Sequence, residues 1–191
     1  MGVKLHCAYD DTGDLVFIKD RIEKNRLFYC PYCKEEVFSK KGTIREHHFS
    51  HKPDTERSAN FETILHFESK HYLAKKINEN DGEGIELPFD LGEYIPALEL
   101  LKKRAGISDQ TTISLSEIKS FYDVTSALTE TVIPGSQFIA DILGFIKEDN
   151  KNLAIEVFVS HESDNGKIKF FKLKHFPYLE LIPFHNEKGE I

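Results

Sequence analysis

Cys30 and Cys33 stand two residues apart in "CPYC", and three histidines, His47, His48 and His51, follow in "HHFSH". Thiolate and imidazole are the donors that zinc gathers into a tetrahedron. A Cys-x2-Cys turn brings two sulfurs onto one ion, and Pro31 between them stiffens it. The second pair of ligands can be drawn as C-x2-C-x14-H-x2-H through His48 and His51, or as C-x2-C-x13-H-x3-H through His47 and His51. Three cysteines cannot all pair within one chain, and "MGVKLHCAYDDTG" lacks the apolar run of a secretory signal or membrane span. The expected setting is a reducing cytoplasm without membrane contact, where this pattern reads as a structural zinc site before a disulfide. Cys7 has no partner motif and reads as a buried hairpin residue.

A second chemistry is written in carboxylates. Glu62, His66 and Lys70 are spaced i, i+4, i+8, so one helix face would carry an acid, an imidazole and an ammonium. Asp141 interrupts the apolar run "QFIADILGF", and Glu156 interrupts "NLAIEVFVS". A lone buried carboxylate is costly, so each needs a cation or a metal. On adjacent strands the two could converge on Mg²⁺ or Mn²⁺, which activates water and stabilises a phosphoryl transition state.

The elements that must position these residues follow from period and punctuation. "LHCAYDDTGDLVFIKD" predicts a β-hairpin turning at Gly13, and "LFYCPYC" a strand that enters the knuckle. "NFETILHFESKHYLAKKINEN" repeats apolar residues every three or four positions, which predicts an amphipathic helix with Asn60 as its cap. "LGEYIPALELLKKRAGI" predicts a short helix inside an insertion at about 82–116. Three runs rich in β-branched and aromatic residues then predict an antiparallel meander. A short helix over "HESDNGKIKFFKLKHF" and a last strand at "YLELIPF" complete the order. The expected fold class is α+β, with a zinc-binding segment at 1–57 and a second domain at 58–191.

The net charge of −7 counts against a protein that coats nucleic acid electrostatically, and it suits a carboxylate and metal site. Local basic groups remain: Lys40, Lys41 and Arg45 in the knuckle, and Lys167, Lys169, Lys172 and Lys174 interleaved with two Phe.

The order helix, three antiparallel strands, helix, strand resembles the core of PD-(D/E)XK nucleases. The whole arrangement resembles the competence protein CoiA-like family, in which a small zinc-binding segment precedes such a core. "CPYC" with "HHFSHK" is similar to that family's Cys-Pro-x-Cys and His-Phe-x-His-Lys, a likeness that selects His48 over His47. "ETILHFESK" resembles its Glu-Ser-x-x-His-x-x-x-Lys helix with Thr63 in place of Ser, and "IADI" and "AIEVFVSH" its acidic strands. The resemblance implies Glu62 as helix acid, with His66 beside it, Asp141 as main metal ligand and Glu156 as second. It also asks for lysine two residues after that Glu, where this chain has Phe158. Lys167, Lys70 and His161 are the groups that could substitute. The implied activity is divalent-metal-dependent hydrolysis of nucleic-acid phosphodiesters, DNA ahead of RNA. The alternative is an inactive nuclease-like zinc protein that binds nucleic acid or a partner protein, a second copy included.

Overall fold

A computed structural model describes residues 4–23, 26–44, 46–52, 61–79, 86–88, 112–114, 124–146, 152–159 and 164–183. It is α+β and forms two compact units. The first comprises Met1–Tyr72, Val157–His161 and Ile182–Ile191, and the second Leu73–Glu156 and Glu162–Leu181. The expected boundary at residue 57 and the Asn60 cap lie outside the described residues.

The first unit is built on a five-stranded sheet. The expected hairpin forms from β1 (Cys7–Asp10) and β2 (Leu15–Phe17), with Cys7 opposite Phe17. Its turn is held by Asp10, whose carboxylate accepts the amides of Thr12 and Asp14 at 3.0 Å each. Gly13 supplies the φ of +88° that the turn requires. The sheet continues through β3 (Phe28–Tyr29), β4 (Glu36–Lys40) and β5 (His48–His51), in the order β2-β1-β3-β4-β5. The last two strands were not expected: "KEEVFSKK" is too polar to show alternation, yet Val37 and Phe49 alone anchor the pair inward. They pack with Leu5, Ala8, Ile18, Phe28 and Ile64 into one apolar cluster.

Helix α1 (Phe61–Asn78) fulfils the periodicity. Ile64 enters the first cluster, while Leu73, Ala74 and Ile77 enter a second one with Val124, Ala127, Ile142, Leu153 and Ile155. Its middle departs from a simple amphipathic helix, because Glu68, Ser69 and Lys70 are buried too. Glu68 is tolerated there because it accepts the His6 amide at 2.6 Å and faces the His6 ring at 3.0 Å.

In the second unit the meander forms as read: β8 (Val124–Val132), β9 (Ile139–Ile146) and β10 (Asn152–Val157), each antiparallel to the next. After α2 (Asn165–Lys174), β11 (Tyr178–Leu181) adds beside β10, giving the order β11-β10-β9-β8. Asp164 caps α2 by accepting the Gly166 amide at 2.6 Å. Phe171 of α2 packs with Ile133, Ala140, Leu143 and Ala154. Among the described residues β8 is an outer strand, and three features interrupt it. Its register shifts between Val124 and Ser126, Glu130 takes a φ of 49°, and the Asn78 side chain bonds both backbone groups of Ala127. Within the expected insertion, β6 (Glu86–Pro88) pairs with β7 (Thr112–Ser114), while the short helix expected there lies outside the described residues.

Candidate functional site

The knuckle turn follows directly on β3. The Cys30 amide bonds the Glu35 carbonyl at 2.8 Å, and the Lys34 amide bonds the Cys30 carbonyl at 3.0 Å. Lys34 takes a left-handed φ of 62° to close the turn, a conformation more usual for glycine. His51 arrives from β5, where it pairs with Val37 of β4 and so faces inward. One ligand atom each from Cys30, Cys33 and His51 lie within 4.8 Å of one another, and the Cys33 sulfur is 3.2 Å from His51 Nε2. The thiols are free. Burial, the largest influence, pushes the Cys30 thiol above its ordinary value, against the pull of the Cys33 and Tyr32 amides. Two sulfurs, an imidazole and backbone amides aimed at a sulfur form a donor set that fits zinc, and the cluster could hold such a metal.

The expected fourth ligand is placed elsewhere. His48 is three residues from His51 on one strand, so the two side chains project to opposite faces. The His48 Nδ1 is engaged with the Glu46 carbonyl at 2.9 Å, and His47 with the Gly42 carbonyl at 3.0 Å.

The acidic strand residues do come together. β9 and β10 pair Ile142 with Ile155, and the next step of that ladder sets Asp141 opposite Glu156. Opposed residues share a sheet face. Glu156 is buried with only 4 % of its side chain exposed, and its Oε2 accepts the Lys167 ammonium at 2.7 Å. Its Oε1 is buried with no hydrogen-bond partner among the described residues. Burial pushes the Glu156 carboxyl above its ordinary value and the Asp141 charge adds to this, with Lys167 and the Asp141 amide as partial offsets. Helix α2 delivers Lys167 from its first turn, just beyond the Asp164 cap.

In the first unit, Glu62 and His66 are half-buried on α1, and Lys70 is 6 % exposed. Burial, reinforced by the neighbouring Lys70 charge, lowers the His71 imidazole to about 4. Phe158 is half-buried just after β10, and His161 lies outside the described residues. Reading the sequence missed Glu68, whose carboxylate joins His6, itself bridged to Glu46 at 2.9 Å. Its signal was a carboxylate at the centre of a helix, one turn from Ile64 and Leu65 on one side and from Tyr72 on the other.

No curated protein and no solved structure matches the chain. Residues 17–59, which contain Cys30, Cys33, His48 and His51, match the family model of the competence protein CoiA N-terminal domain. The likeness to the CoiA family is thus carried by the segment 17–59, which is similar to that family's N-terminal domain.

Proposed function

We propose that this protein is a divalent-metal-dependent nuclease that hydrolyses phosphodiester bonds, with its reacting centre at Asp141, Glu156 and Lys167 on a PD-(D/E)XK-like core. One observation carries the reading. A buried carboxylate opposite a second one keeps an oxygen with no partner among the described residues, while a lysine from the next helix neutralises the other. That oxygen and the Asp141 carboxylate are hard donors of the kind Mg²⁺ and Mn²⁺ take. The metal, when bound, supplies Lewis-acid stabilisation of the phosphate and a more acidic water.

The chain's own residues have separable tasks. Asp141 and Glu156 hold the cation, and the strand ladder fixes their spacing. Lys167 occupies the role that Phe158 leaves vacant: it orients the attacking water and offsets charge on the phosphoryl oxygens. Glu62, His66 and Lys70 belong to the first unit and enter as substitutions to test, as does His161. The zinc cluster is a structural staple in this reading.

The inactive alternative draws on Phe158 and on the closed Glu156–Lys167 pair, which ties up one carboxylate oxygen. The purified protein should be incubated with single- and double-stranded DNA and RNA in Mg²⁺, Mn²⁺ or EDTA. Metal-dependent cleavage that Asp141→Ala abolishes is the expected result. No cleavage of any substrate in either metal would leave the inactive reading.

A further inference from the structure

The face of the five-stranded sheet that carries Phe38 has a composition unrelated to the acidic site. Tyr9 stands opposite Tyr29, Tyr29 opposite Glu36, and Phe38 lies two residues beyond Glu36 on the same strand. Three aromatic residues from three adjacent strands therefore share one face. Tyr9 and Tyr29 are half-buried, and Phe38 is 39 % exposed. Each end of the row carries a lysine against a ring: Lys34 is 4.8 Å from the Tyr9 centroid, and Lys52 is 5.4 Å from that of Phe38. Lys34 is fixed there by its bond to the Pro31 carbonyl at 2.7 Å. Lys52 also pairs with Glu36 at 3.1 Å, which neutralises the one acid in the row. Lys40, two residues beyond Phe38, is exposed on the same face.

We propose that this face is a stacking platform for single-stranded nucleic acid, with bases on Phe38 and Tyr29 and phosphates on Lys40 and Lys52. Aromatic rings on an open sheet, flanked by cations one nucleotide's reach away, stack any base while the cations follow the backbone. A duplex hides its base faces and cannot use the rings. A protein partner fits poorly, because lysine is depleted from protein interfaces and here rims the aromatic row. The ligand is a polyanion, and these lysines stand out in a chain of net charge −7. The inference shares its ligand class with the nuclease reading but none of its residues.

The test uses the full-length, zinc-loaded protein without added Mg²⁺ or Mn²⁺, so that binding is read apart from cleavage. Fluorescence anisotropy is measured on labelled dT20, rU20 and a 20-base-pair duplex. Phe38→Ala is expected to weaken single-strand binding about tenfold, and Phe38→Tyr to restore it to within about twofold. Lys40→Ala should lower the slope of log affinity on log salt by about 0.7. Phe38-dependent binding of either strand supports the platform, and the tighter strand names the sugar. Far-UV circular dichroism and zinc content check the fold, and the exposed Lys40→Glu variant provides a second probe that leaves the rings intact. Single strands that do not bind, or that bind Phe38→Ala and Lys40→Glu as tightly as the native chain, would overturn it. A failure to cleave leaves this outcome readable, and a loss of Phe38 dependence leaves the cleavage assay readable.

Discussion

The Glu156–Lys167 pair is a buried charge pair whose members come from a strand and the following helix. Removing one partner of such a pair leaves the other uncompensated. Lys167→Met should therefore lower unfolding stability by about 3 kcal/mol in urea at pH 7, and adding Glu156→Gln should recover part of it. Burial has already raised the Glu156 carboxyl, so its stabilising contribution is full below the ordinary carboxyl range and lost as pH rises through the raised value. The Lys167→Met deficit should grow from pH 4 to pH 7 in parallel urea titrations. At the knuckle, the inward position of His51 and the outward position of His48 order two variants. His51→Ala should reduce zinc retention against a chelating dye more than His48→Ala, and equal losses would return His48 to the ligand set. The Cys30–Cys33 pair and the juxtaposed Asp141 and Glu156 stood out in the sequence, because thiols two apart match a metal-ligand spacing and acids in apolar runs are costly without a partner. What was not legible was which histidine faces inward. That depends on strand parity, and the strand holding both was hidden in a polar run.

Among the elements, α1 shows how a helix can satisfy its periodicity and still be misread. The apolar spacing predicts its burial at both ends, but the middle is buried by polar contacts. Glu68 accepts the amides of His6 and Cys7 at 2.6 and 3.4 Å, so a strand end is tied to the helix by a side chain from 61 or more residues away. No local pattern encodes such a bond. His6 lies between Glu68 and Glu46, and Glu46 also meets Lys4. Burial disfavours the charged ring, but the two carboxylates outweigh it and His6 titrates above its ordinary value. The stability it contributes is complete below about pH 6.5 and is lost as pH rises through the raised value. The difference in unfolding free energy between the native protein and His6→Gln should be about 1–2 kcal/mol at pH 6 and shrink towards pH 9. Thermal melts across that range measure it, and a constant difference would mean that the ring is held neutral. The meander, in contrast, was legible nearly to its ends, since "PGS" turns β8 into β9 and β-branched residues fill all three strands.

At the scale of the whole molecule, the sequence conveyed an order of elements and one family segment, while the sharing of α1 between two apolar clusters came only with the fold. Periodicity records that a face is apolar and leaves its partner unstated. Strand β8, an outer strand among the described residues, carries a further implication. Leu128 and Val132 are 55 % and 56 % exposed on a nine-residue strand, the profile of a template for uncontrolled polymerisation. The left-handed Glu130 between them sets a charge and a kink where a second copy would have to dock. A β-branched residue does not tolerate that backbone, so Glu130→Val should straighten the strand. Light scattering should then rise with concentration for the variant while the native chain stays dispersed. One glutamate, on the strand position facing Asp141, would thus act as a gatekeeper of colloidal behaviour and cost the sheet a little regularity.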